Sequence, residues 1–87
     1  MLFMATHIEL SGAALIPEAE RQTAFQQVLS NASQRGVVIH GLYVNELDYT
    51  AYFLFEADNA RQIAAVFDPI LAFGHLESVP VVDRLEL

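Results

Sequence analysis

Eighty-seven residues form one domain, with eleven acidic side chains against four arginines, no lysine and a formal net charge of −7. That balance argues against a nucleic-acid backbone or an anionic membrane surface as partner, since both need clustered positive charge. The absence of cysteine removes disulfides, thiolate metal sites, iron–sulfur clusters and a cysteine nucleophile, and fits a cytoplasmic protein.

The N-terminal MLFMATHIEL has no basic segment and breaks at Thr6-His7, so it does not read as a signal peptide, and no apolar run approaches 18 residues. Leu2–Leu10 reads as a strand, with Phe3, Ala5, His7 and Glu9 alternating with Met4, Thr6, Ile8 and Leu10. Ser11–Ala14 supplies a loop. Pro17, Glu18 and Glu20 mark a helix start, Phe25, Val28, Leu29 and Ala32 form its apolar stripe, and Gly36 is the expected stop.

Val37–Asn45 and Tyr49–Glu56 hold most of the β-branched and aromatic residues, and the chain is organised around them as a hairpin. Leu47-Asp48 is a poor two-residue turn, so a three-residue loop, Glu46–Asp48, is expected. It sets Asn45 against Tyr49, Tyr43 against Ala51 and Gly41 against Phe53, with Ile39 and Phe55 beyond. Val38, His40, Leu42, Val44, Thr50, Tyr52, Leu54 and Glu56 then share the opposite face. Asp58 is the expected N-cap of a second helix with the stripe Ala60, Ile63, Ala64, Phe67. Pro69 is expected to end it near Phe67, with a short extra turn at Ile70–Phe73. His75–Leu87 is the last strand, and Pro80 places it at a sheet edge or a bulge.

The order β-α-β-β-α-β predicts an α+β, ferredoxin-like domain over residues 1–87: a four-stranded antiparallel sheet, order 4-1-3-2, with two helices on one face. A chain this short buries only about 60–65% of its unfolded surface, yet 54% of its residues are hydrophobic and 17% charged. The helices cover one sheet face, so the other is expected to pair with a second copy as a homodimer, or within a higher oligomer.

The start MLFMATHIEL, the FEADN turn into the second helix and the VPVVD near the end resemble an uncharacterised bacterial family described as a domain of unknown function within the dimeric α/β-barrel superfamily. The resemblance implies two ferredoxin-like sheets packed face to face into a barrel, with a pocket between sheet and helices in each subunit. The start MLF and the length are also similar to the muconolactone isomerase family. The longer polar segments of that family's site have no counterpart here, and none of its residues is carried over.

For chemistry, His7 late in the first strand, His75 early in the last and Tyr49 opening the third are expected at the same end of the sheet. Around an apolar pocket they would serve as general base and oxyanion donor in proton abstraction beside a carbonyl. The plainer reading leaves both histidines at solvated strand ends. His40, Tyr52, Leu42 and Leu54 on the barrel face are candidate ligand contacts, although a lone histidine among valines and leucines is ordinarily a packed one. A metal site from His7, His40 and His75 has no paired spacing to support it, and no phosphate loop, dinucleotide fingerprint or nucleophile elbow implies a cofactor. Three functions are open at this point: a homodimeric barrel binding a small apolar or aromatic molecule as sensor or accessory subunit; a cofactor-independent isomerase, cyclase or oxygenase; and a structural assembly module without a ligand.

Overall fold

The computed structural model describes residues 1–10 and 16–85; the expected loop at Ser11–Ala14 and the chain end at 86–87 lie outside them. Its elements are β1 (Leu2–Glu9), α1 (Glu18–Gln34), β2 (Val38–Asn45), β3 (Thr50–Glu56), α2 (Ala60–Leu71) and β4 (Gly74–Pro80). The sheet order is β2-β3-β1-β4 with all pairs antiparallel, as the ferredoxin-like reading requires. Neither helix is long and apolar enough to cross a membrane.

Between the sheet and the helices lies one apolar layer. Ala5, Ala51, Phe53 and Phe55 rise from the central strands to meet Val28 and Ala32 of α1 and Val66, Phe67 and Ile70 of α2, all buried. All six phenylalanines are in ring contact there: Phe3 stacks on Phe55 at 5.6 Å, and Phe67 takes Phe53 edge-on at 4.9 Å. Phe25 stacks on Phe53 at 6.1 Å and also meets Phe73. Such pairs add about 0.5–1.5 kcal/mol each beyond the area they bury.

Helix α1 ends as its sequence dictates. Gly36 adopts φ 72°, and the Val37 amide reaches back to the Ala32 carbonyl at 3.0 Å, closing a Schellman turn. In α2 the cap is Asn59 rather than Asp58: its Oδ1 accepts the Gln62 amide at 2.9 Å, while Gln62 Oε1 accepts the Asp58 amide. The buried stripe is Val66, Phe67 and Ile70, with Ile63 beside it; Ala60 and Ala64 face out.

Two further expectations are corrected. Pro69 does not stop α2, which runs on to Leu71 and absorbs the expected extra turn. Proline at 69 leaves the Ala65 carbonyl without its partner four residues on. Asn31 of α1 stands in, its Nδ2 donating to the Ala65 and Val66 carbonyls at 3.4 Å each. The last strand is shorter than expected, ending at Pro80 on the sheet edge; beyond it the Val81 amide donates a hydrogen bond to the Leu2 carbonyl at 2.9 Å.

The hairpin register agrees at one end and slips at the other. Ile39 faces Phe55 as expected, but a bulge at His40 then sets Gly41 against Leu54, Leu42 against Phe53, Tyr43 against Tyr52 and Val44 against Ala51. The extra residue exchanges the faces of the loop-ward half of β2. Leu42 and Val44 therefore turn toward the helices, and Tyr43 turns away. The loop accordingly has four residues, Glu46–Tyr49, with Asn45 opposite Thr50. Asn45 Oδ1 accepts the Leu47 amide, and Tyr49 closes the loop at φ 51°.

The Asn31 contact is testable by a double-mutant cycle. Asn31→Ala is expected to cost about 1 kcal/mol in urea denaturation. In a Pro69→Ala background, where the residue-69 amide can serve the Ala65 carbonyl, the same change is expected to cost less than half as much.

Candidate functional site

Where the aromatic layer ends, the space between α1 and the loop end of the hairpin opens into a cleft of about 630 Å³. Its lining includes His7, Phe25, Leu42, Val44, Tyr49 and Thr50, with Glu9, Glu18, Arg21 and Glu46 among the charged groups. The strand alternation that turns Ala5 into the core also turns His7 and Glu9 to this side. The bulge at His40 supplies Leu42 and Val44.

His7 is 1% exposed. Its ring stands edge-on to Phe25 and Phe73, at 5.7 and 5.5 Å. Nε2 lies 2.8 Å from the Ile70 carbonyl, near the end of α2. A carbonyl only accepts, so Nε2 carries the proton and donates it, and Nδ1 holds the lone pair. Burial lowers the His7 pKa below 6.5; the bond to Ile70 and the charge of Glu9 pull upward without cancelling it. The imidazole is neutral at neutral pH, a base rather than a cation.

The ring needs the space that Gly74 leaves. A Cβ built on Gly74 would overlap Nε2 and Cε1 of His7. Tyr49 forms the other side of the cleft in a left-handed conformation that costs a non-glycine residue about 1–2 kcal/mol. Its carbonyl accepts the Glu9 amide at 3.2 Å, tying the loop to β1.

The structure thus brings together His7, Tyr49 and Leu42 of the residues singled out from the sequence. The others stand elsewhere. His75 reaches the same end of the sheet as His7 but the opposite face, because β1 pairs His7 with Leu76 and Ile8 with His75. It is exposed, 3.5 Å from Glu77. His40, in the bulge, lies 3.4 Å from Glu56. Tyr52 and Leu54 point away from the helices with Thr6 and Met4. The three histidines do not converge, and among the described residues no group of His, Asp and Glu is placed to hold a metal ion.

Sequence reasoning missed the cleft's ion pair. Arg21 Nη1 lies 3.1 Å from both oxygens of Glu9, with the two side chains only 20% and 14% exposed. A signal was present: Arg21 precedes Phe25, Val28 and Ala32 at helical spacing, one turn up the same stripe. Glu9 shares its strand face with His7.

Two measurements follow from His7. Gly74→Ala is expected to cost about 1–3 kcal/mol by overpacking, and clearly less in a His7→Ala background where the ring is gone. On acidification the unfolded chain takes a proton at His7 near 6.5, before the native state does. Stability is therefore full above that value and falls below it until native His7 itself titrates, with a slope of at most about 1.4 kcal/mol per pH unit. The urea midpoint of the wild type is expected to drop from pH 7 to 5.5 more steeply than that of His7→Gln.

Comparison with solved structures finds the same fold at low identity. The SCO4226 protein from Streptomyces coelicolor A3(2) is 20% identical with a TM-score of 0.63, covering 95% of this chain and 100% of its own. A NIPSNAP domain protein from Burkholderia xenovorans is 15% identical with a TM-score of 0.59, covering 97% and 95%. The de novo designed protein Ferredog-Diesel is 9% identical with a TM-score of 0.61, covering 91% and 83%. No curated protein matches the sequence significantly. The profile of DUF3303, a domain of unknown function, matches residues 1–87, and the chain belongs to that family.

Proposed function

We propose that this protein is a cytoplasmic homodimer that binds a small apolar or aromatic molecule in the cleft beside α1, as a sensor or accessory subunit. The cleft carries this reading. Its volume of about 630 Å³ lies within the range of small-molecule sites, and Phe25, Leu42 and Val44 line it together with a few polar groups. Tyr49 holds a strained backbone at its edge, a cost more often met at binding sites than in idle loops.

The dimer rests on the uncovered sheet face. Met4, Ile8, Val38, Tyr43, Tyr52 and Val79 are all exposed, the first two and Val79 on adjoining strands. Packed against the same face of a second copy, at the roughly 10 Å spacing of stacked sheets, these side chains would leave water.

One observation favours an enzyme as the second reading: His7, held neutral by burial, lines the same cleft as Tyr49. Such a pair suits isomerisation or cyclisation, or a cofactor-independent oxygenation, begun by removing a proton beside a carbonyl. A module that only assembles would need neither the cleft nor its polar groups.

The test uses the neutral fluorophore N-phenyl-1-naphthylamine. It is expected to bind one per chain and to bind Val44→Trp, whose indole fills the cleft, at least tenfold more weakly; equal binding to both proteins would overturn the reading. In sedimentation equilibrium the wild type and the His7→Ala/His75→Ala variant are expected to stay dimeric, whereas Ile8→Glu/Val79→Glu dissociates. A folded wild-type monomer on dilution would overturn the dimer.

A further inference from the structure

The guanidinium at the margin of the cleft is only partly used. Arg21 serves Glu9 through Nη1 alone, at 3.1 Å from each carboxylate oxygen. A guanidinium donates from all its nitrogens in one fixed plane, and its Nε–H runs parallel to an N–H of Nη2 on an edge that Nη1 does not share. Nothing among the described residues accepts from that edge: Nε is enclosed with no hydrogen-bond partner, and Nη2 makes no bond. Among those residues Nε is the one buried side-chain nitrogen or oxygen in this state. A buried donor without an acceptor is costly, and more so on a charged group.

Arg21 lines the cleft with its side chain 20% exposed, one helical turn before Phe25, which lines it too. Residues four apart on a helix hold their Cβ atoms about 6 Å from each other on one side. A ring seated between Phe25 and the aliphatic wall of Leu42 and Val44 therefore carries a substituent within reach of the open edge. Charge decides what that substituent is. Glu9 already balances Arg21, so the edge offers hydrogen bonds and no net positive charge. A carboxylate would meet Glu9 across a single guanidinium, whereas a carbonyl oxygen brings two lone pairs without that repulsion.

Resting on the binding role proposed above, we infer that the ligand is an uncharged ring compound bearing a carbonyl group, whose oxygen accepts from Nε–H and Nη2–H of Arg21. Phe25, Leu42 and Val44 hold the ring, and Arg21 selects among rings of similar shape by their oxygen.

1-Tetralone, tetralin and 1,2,3,4-tetrahydro-1-naphthoate share one bicyclic frame and carry at the same position a carbonyl, no polar group and a carboxylate. Each is titrated by displacement of N-phenyl-1-naphthylamine from the wild type, Arg21→Lys and Glu9→Gln. Lysine keeps a charge for Glu9 but has no planar fork, so the tetralone-to-tetralin affinity ratio is expected to fall about tenfold. Glu9→Gln keeps the fork and lifts the repulsion, so that ratio is expected to hold while the naphthoate gains at least about tenfold. In the wild type the Arg21 Nε–H resonance is expected to shift with tetralone and to stay in place with tetralin, a readout that does not depend on the variants folding. A ratio unchanged in Arg21→Lys, or an Nε–H resonance that ignores tetralone, overturns the inference and leaves the binding role standing. So does a naphthoate that binds the wild type more tightly than tetralone or gains nothing from Glu9→Gln. Failure of all three probes in a protein that still binds the fluorophore also overturns it. Failure of the fluorophore itself sinks the binding role and the inference together.

Discussion

Packing on one side of the sheet constrains everything else in this molecule. A four-stranded sheet with two helices has a single enclosed layer, and here that layer is a continuous set of phenylalanine rings between Phe3 at one end and Phe73 at the other. Small residues on the central strands, Ala5 and Ala51, leave room for the rings to interleave. The helices meet this layer with Val28 and Ala32 of α1 and Val66, Phe67 and Ile70 of α2, while Leu29, expected in the stripe of α1, and Leu71 stay exposed. What remains of the hydrophobic content, on the far side of the sheet, has no covering from the chain's described residues.

The cleft begins where this layer stops. At its boundary a histidine takes the place that another aromatic would fill, held by a main-chain carbonyl instead of by apolar contact alone. Next along the same strand comes Glu9, and its partner Arg21 continues the stripe of α1 by one turn. Apolar packing, then a neutral polar ring, then an ion pair thus follow one another along β1, and polarity rises toward the opening. Burying an ion pair costs several kcal/mol per charge before attraction returns it. Its position at the partly exposed margin of the core, rather than inside, keeps that cost down.

The element order, the sheet order and the helix-facing residues of β3 were legible because strict alternation and helical spacing are strong signals. Gly36 was legible as a stop because only its conformation closes the turn. Other features depend on contacts distant in sequence. Pro69 is a helix breaker in isolation and is tolerated because Asn31, on another helix, meets the carbonyl it strands. His75 was placed at the correct end of the sheet, but which face it takes depends on the cross-strand partner. The Tyr49 loop was misjudged by one residue because nothing local marks a bulge six residues before it on the other strand. The Glu9–Arg21 pair joins a strand to a helix, and although Arg21 lay in line with the apolar stripe of α1, nothing in the sequence named Glu9 as its partner.

The bulge at His40 makes the chemistry of the cleft a matter of strand register rather than residue identity. Iron it out with every residue kept and the pleat of β2 runs unbroken: Tyr43 swings inward, Leu42 and Val44 swing outward, and an aliphatic wall becomes a phenolic one without a single substitution. Relatives that keep the strand's length but lose the bulge would therefore present different pocket surfaces on the same scaffold, whereas one that drops residue 40 keeps Leu42 opposite Phe53 and the same wall. A position-by-position comparison of side chains that ignores the bulge would misread them.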